Sequence, residues 1–418
     1  MRSDDGLDTR LEAPYATKRI FATMFSPVIM LLLGGFALAA ALSKYHIAKA
    51  LATVVLSKAG TRPSHVLLAN MMVATIASMW ISNVAAPVLC FSLIQPILRT
   101  LPNKSPFARC LILGIALASN VGGMASPISS PQNIIAIENM KPSPTWIEWF
   151  FIAIPLCILS NFVIWLLLLW SYQPESHTPQ IHAIRASNDP ITHTQVFVVS
   201  VTTFTIALWC LEHSFENVFG DMGIIAIVPL VAFFGTGILT KEDFNNFLWT
   251  VIILAMGGIA MGKAVESSGL LHTIATHIQD LVQDLSPFEV LFVFSALVVV
   301  IATFISHTVA ALIILPIVAQ VGASLPDPHP RLLVMVRTHL PVRSFLLHSG
   351  DGSALMCSAA MGLPVSGFPN MNAIMMEDEM GVQYLTTLDF LKNGVPASIL
   401  VMLLVTSVGY GLMMLVGF

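Results

Sequence analysis

Two short polar strings sit inside otherwise apolar sequence, Ser82-Asn83-Val84 and Ser306-His307-Thr308. Each reads as a break between two helices, and such a break leaves free N–H groups at one helix start and free carbonyls at the other helix end. The N–H ends attract an anion, whereas carbonyl and hydroxyl oxygens suit a hard cation such as Na⁺. Two further strings have the same character. GGMASPISSPQN at 122–133 holds Gly122, Gly123, Ser129 and Asn133, and MGLPVSGFPN at 361–370 holds Gly362, Pro364, Ser366 and Asn370. Glycine lets backbone approach a ligand, and proline releases a carbonyl from helical bonding. The substrate-binding candidates are therefore Ser82, Asn83, Ser129, Ser306, His307, Thr308 and Ser366. The cation-binding candidates are Ser82, Gly122, Gly123, Asn133, Thr308, Gly362, Pro364 and Asn370. Any one of these serines or glycines could serve helix packing alone; their paired occurrence favours binding. His307 has three readings: contact with a substrate oxyanion, carriage of a proton in a coupled cycle, or packing with a bond to a backbone carbonyl.

The pairing extends along the chain. Gly34 and Gly257, each in a GG string, lie 223 positions apart, Ser82 and Ser306 lie 224 apart, and Pro127 and Pro364 lie 237 apart. Two homologous halves, each with polar interruptions in apolar sequence, predict a secondary transporter whose site forms where the halves meet. Composition agrees. Of 418 residues 56% are hydrophobic and 10% charged, where a soluble chain carries roughly a quarter charged. Mean hydropathy is +0.81. A bilayer core of about 30 Å takes about 20 helical residues to cross, and backbone in lipid must satisfy its own hydrogen bonds. The fold class expected is an all-α polytopic membrane protein, an inverted repeat with two re-entrant hairpins and two broken helices. The net charge of −4 names no partner beyond the lipid bilayer, and no nucleic acid is expected. The five cysteines lack metal or redox spacing. No Ser-His-Asp order, HExxH string or phosphate-binding glycine loop is present, so enzymatic chemistry has no constellation and no cofactor is expected.

The elements that must position these residues follow from the apolar runs. Residues 1–20 read as a tail, 21–171 as a first repeat incomplete at its N-terminus, 172–194 as a polar linker and 195–418 as a second repeat. Hairpins are expected at 64–98 and 287–322, and interrupted helices at 106–139 and 352–376. The second half has two spans ahead of its GG string and the first has none, so two early helices are expected to be missing. The third pair of strings also arrives 13 positions late. That surplus falls at 336–351, where Arg337, His339, Arg343, His348 and Asp351 crowd into expected membrane sequence; it reads as an insertion, with an anion gate as the alternative. Lys44, Lys49, Lys58, Arg62, Arg99, Lys104, Arg109, Arg185, Lys241 and Lys392 share one side, against Lys141, Lys263 and Arg331, which marks that side as cytoplasmic.

The hairpin tips, with GGMASPISSPQN and MGLPVSGFPN, resemble the divalent-anion/sodium symporter superfamily. Within it, SHTVAALIILPIVAQVG and SAAMGLPVSGFPNMNAI are most similar to the membrane part of the fungal low-affinity phosphate transporters. The resemblance runs from about residue 21 onward. It implies inorganic phosphate as substrate, Na⁺ or H⁺ as coupling ion, and an elevator mechanism with a dimerising scaffold, in a vacuolar or plasma membrane. A dicarboxylate or sulfate carrier is the alternative within the superfamily, and a transport-inactive truncated membrane protein the alternative outside it. Members of the superfamily usually bear the tip pattern Ser-Asn-Thr. Here Val84 loses a hydroxyl and His307 replaces an amide, departures that suit a substrate other than a dicarboxylate.

The insertion reading has a direct test. The transcript is expected to join Met335 to Gly352, and sequencing cDNA that retains 336–351 would sink it.

Overall fold

The computed structural model describes residues 11–102, 105–139, 144–177, 181, 190–212, 221–268, 287–324 and 352–416. The 336–351 segment lies outside them. Among the described residues the regular structure is helical, and the β pairing is an isolated bridge between Glu377 and Gln383.

Helices α1 (Ala13–Met24) and α2 (Pro27–Lys44) part at Phe25–Ser26, so the expected tail is helical from Ala13 onward. The short α3 (Ile47–Ser57) leads into a hairpin of α4 (Pro63–Trp80) and α5 (Ala85–Leu98). An interrupted helix follows, α6 (Pro106–Gly122) and α7 (Pro131–Asn139), and then the long α8 (Trp146–Tyr172). Beyond the linker come α9 (His193–Leu211), α10 (Met222–Ile225), α11 (Ile227–Gly235) and α12 (Trp249–Ser268). The second hairpin is α13 (Pro287–Phe304) and α14 (His307–Ser324), and the second interrupted helix is α15 (Gly352–Ala359) and α16 (Phe368–Ile374). Finally α17 (Val395–Leu404) continues through a π turn, Val405–Gly409, into α18 (Tyr410–Val416).

Local sequence explains where helices start. Pro14, Pro27, Pro63 and Pro106 sit in first turns, where a missing N–H costs nothing and the fixed φ suits a helix. Thr145 with Glu148 and Thr192 with Gln195 form reciprocal capping boxes that start α8 and α9. Four helices among the described residues are long and apolar enough to cross a membrane: Ala13–Lys44, Trp146–Tyr172, His193–Leu211 and Thr387–Met413.

The apolar side chains form two main cores. One gathers both hairpins and most of both interrupted helices, with Leu67, Leu111, Leu117, Val298, Leu315 and Met361 at its centre. The other joins α2 to α9–α12 through Leu31, Leu38, Val198, Trp209, Phe233 and Ile252. Helix α8 serves both. Trp149 belongs to the first core, whereas Trp146 stacks on Trp209 at 4.6 Å in the second.

At Gly394 the chain ahead of α17 presses on the second interruption so closely that a Cβ would collide with the Met361 carbonyl. Gly394→Val is expected to destabilise the protein by about 1–3 kcal/mol through overpacking. Gly411→Val, in open space, is the control; thermal melting in detergent reads both, and equal midpoints would refute the close-packing account.

Candidate functional site

The two hairpin tips meet. Asn83 of the first and Ser306, His307 and Thr308 of the second line one small, nearly closed cavity, together with Pro131, Gln132, Gly367 and Phe368 of the two interruptions. The tips are built alike. Ser82 Oγ accepts from the Ala85 N–H at 3.4 Å and its carbonyl from the Ala86 N–H at 3.1 Å. Ser306 repeats this with the Val309 N–H at 3.4 Å and the Ala310 N–H at 2.9 Å. Each serine thus caps the helix that follows. Ser82 also holds φ at 144°, a left-handed backbone that a side chain rarely adopts and that tends to be stored at functional sites.

The interruptions repeat a second pattern. Asn133 Nδ2 donates to the Ser126 carbonyl at 2.8 Å and to Ser129 Oγ at 3.2 Å, while Ser129 Oγ donates to the Ser126 carbonyl at 2.7 Å. Asn370 Nδ2 donates to the Leu363 carbonyl at 2.9 Å and to Ser366 Oγ at 3.2 Å, and Ser366 Oγ donates to the Leu363 carbonyl at 2.8 Å. Ser129 and Ser366 therefore spend their protons on their own loops and do not line the cavity. The Gly123 carbonyl is crowded, with Ser129 Oγ, Ser130 Oγ and Asn133 Nδ2 all within 2.8 Å of it. Gly122 lies against Thr75 and Ser78 of α4, and Gly362 against Thr303 and Val395, so both are close-packing positions. Pro364, itself buried, opens a 3₁₀ turn, Pro364–Ser366, between the halves of the second interruption.

His307 occupies a position between its three readings. Its Nε2 lies 2.7 Å from the Ala360 carbonyl. A carbonyl only accepts, so Nε2 carries the proton and Nδ1 offers a lone pair. That Nδ1 is buried without a partner. It borders Gly367, where an added Cβ would stand 2.9 Å from Nδ1 and 3.1 Å from Asn120 Oδ1.

Asn120 is a residue that the sequence reading missed. It lies in α6, fully buried, and donates across to Asn370 Oδ1 at 2.8 Å. Two more bonds cross between halves: Gln132 Nε2 to Ser358 Oγ at 2.7 Å, and Asn372 Nδ2 to the Val84 carbonyl at 3.2 Å. An amide in an apolar helical run was the available signal, but nothing in sequence reveals its partner. The amide oxygens of Asn83, Asn120 and Asn133 have no partner, like His307 Nδ1. Such buried groups call for an explanation, and unlike the cavity-lining backbone starts they are acceptors.

The starts of α5, α7, α14 and α16 all lie at this cavity or immediately beyond the tip residue that lines it. The N-terminal ends of four helices, the positive ends of their dipoles, thus gather around one cavity. A larger cavity beside Trp80, lined also by Leu42, Ile76, Ile81 and Ile206, is overwhelmingly apolar and offers an anion no partner of this kind.

Comparison with known proteins agrees with a carrier. The profile of the CitMHS family, described as citrate transporters, matches residues 10–338. The chain is 56% identical over 418 residues to an uncharacterised transporter of Schizosaccharomyces pombe, covering 100% of this chain and 46% of that protein. It is 45% identical over 413 residues to the inorganic phosphate transporter PHO87 of Saccharomyces cerevisiae, covering 99% of this chain and 43% of the relative. The chain thus spans a little under half the length of these relatives. The YdaH transporter of Alcanivorax borkumensis shares the fold, with a TM-score of 0.52 at 13% identity over 99% of this chain and 92% of that one. With most of its length matched by the family profile and its helices arranged as in a solved transporter, the chain belongs to the CitMHS citrate transporter family, as a relative of the divalent-anion/sodium symporters and of the yeast phosphate transporters.

Proposed function

We propose that the protein carries inorganic phosphate across a membrane, binding it at the cavity between the two hairpin tips. The observation that carries this reading is the convergence there of helix starts with partnerless acceptors. Helix starts and the hydroxyls of Ser306 and Thr308 supply donors to phosphate oxygens. His307 Nδ1 supplies the opposite character, an acceptor for the P–OH proton that phosphate keeps at neutral pH and sulfate lacks. This differs from an imidazole offering one donor and one acceptor, because the donor is spent on Ala360. The name of the PHO87 relative supports phosphate as substrate. A citrate or dicarboxylate substrate is the second reading, favoured by the family description.

The coupling ion is Na⁺ or H⁺, and the free amide oxygens of Asn83, Asn120 and Asn133 are suited to a hard cation. Separate cores for the hairpin region and for α2 with α9–α12 support an elevator, in which the first core slides past the second as an inverted-repeat unit. The second core would then be the scaffold of a homodimer, in a vacuolar or plasma membrane. Labelled phosphate uptake, in cells lacking their own carriers and with Na⁺ and pH varied, tests the proposal. Competition by unlabelled phosphate but not by citrate or succinate keeps the inorganic reading; citrate transport without phosphate transport rejects it.

Two variants refine it. His307→Asn is expected to reduce phosphate uptake about tenfold or more, the equivalent of about 1.4 kcal/mol for lost hydrogen bonding, and to make sulfate a better competitor. Unchanged uptake and selectivity would leave His307 a packing residue. Ser82→Gly is expected to raise the melting temperature by relieving φ strain worth about 1–3 kcal/mol, while lowering transport through the lost hydroxyl. A variant both less stable and fully active would contradict that assignment.

A further inference from the structure

The GG strings of α2 and α12 are equivalent by sequence, but their surroundings differ. Around Gly34 the face of α2 is covered. Ala226, between α10 and α11, brings its O, Cβ and Cα to 2.7, 2.8 and 3.0 Å of where a Cβ on Gly34 would stand. Leu31 and Leu38, one turn to either side, are 2% and 1% exposed. The matching face of α12 is bare. Nothing lies within 4 Å of a Cβ on Gly257. Leu254 and Met261, 223 positions beyond Leu31 and Leu38, are 39% and 54% exposed, and Ile253 beside them is 59% exposed. Helix α1 packs on α12 but leaves this stripe open.

The covering pair in the first case, α10 and α11, belongs to the second half and packs on the first half's GG helix. A two-fold relation between the halves requires the reverse contact too: two early spans of the first half lying on α12. We propose that the Ile253, Leu254, Gly257 and Met261 face of α12 is the seat of an apolar membrane helix from outside these 418 residues, presenting a small residue to Gly257 as Ala226 is presented to Gly34. Small residues at a crossing let helix backbones approach closely in lipid, where packing rather than the hydrophobic effect drives association. A glycine at the centre of the stripe fits a helix crossing, whereas lipid contact has no use for one. The relatives, more than twice as long as this chain, leave ample sequence for such a helix.

The test compares leucine at the two equivalent glycines, in the 418-residue chain and in a chain extended by the sequence encoded immediately upstream. Gly34→Leu is expected to lower the melting temperature in both. Gly257→Leu should leave the short chain unchanged and lower the extended one by a similar shift. In the extended chain, Leu254→Cys should form a disulfide with a cysteine placed in the upstream helix. Gly257→Leu tolerated in both lengths would assign the stripe to lipid and overturn the proposal. A disulfide between two copies of the Leu254→Cys variant would assign it to a dimer seam and do the same, as would upstream sequence without an apolar span.

Discussion

An interrupted helix inside an apolar layer has to find new partners for the backbone groups that the interruption releases, because lipid supplies none. In this protein the Ser129–Asn133 and Ser366–Asn370 pairs meet that demand. Each asparagine bridges back across its loop to a carbonyl and to the serine hydroxyl, four residues before it. The loops can therefore stay open and rigid at once. Everything else at the site depends on this, since the starts of α7 and α16 can only aim at the cavity if the loops ahead of them are fixed.

The hairpin tips solve the same problem with different chemistry. Ser82 and Ser306 cap the helices behind them, and Asn83 binds the first interruption through its N–H to the Ser129 carbonyl at 3.1 Å. His307 binds the second through Nε2 and Ala360. The counterpart residues Asn83 and His307 thus both anchor a tip to an interruption, one by backbone and one by ring. The ring's other nitrogen is left facing Gly367, whose missing side chain makes the space. Substituting an imidazole for an amide at one tip breaks the chemical symmetry of the site while keeping its architecture.

Some hydrogen bonds between halves, such as Tyr172 to Asp389 and Tyr45 to the Ile238 carbonyl, lie elsewhere, but among the described residues three gather around the cavity: Asn120 to Asn370, Gln132 to Ser358, Asn372 to Val84. They are buried amide bonds in a low-dielectric setting, where leaving one unmade costs about 1–3 kcal/mol. The hairpins and interruptions are accordingly held as one body. The contact of that body with α2 and α9–α12 is of another kind, made by apolar side chains such as Ile128 against Gly35, which carry no directional bonds.

Much of the architecture was legible in the residues. Apolar runs with Pro at their starts fix where helices form, and the polar strings at 82–84, 122–130, 306–308 and 361–367 fix where they stop, because both signals act over a few residues of local backbone. The GG strings, the tips and the loops rich in Gly, Ser and Pro recur at near-constant spacing, which is what reads as two related halves. Three-dimensional packing decided the rest. Sequence could not distinguish Gly122 and Gly362, which permit close approach to α4 and to Val395, from a glycine at the cavity such as Gly367. Nor could it find Asn120, whose role consists of a bond to a residue 250 positions away. It left His307 with three readings, and the Ala360 carbonyl chose which nitrogen holds the proton. Residue type and spacing carry local backbone preference; which polar atom is spent on the fold and which is left free for a ligand depends on partners that only the folded chain brings within about 3 Å.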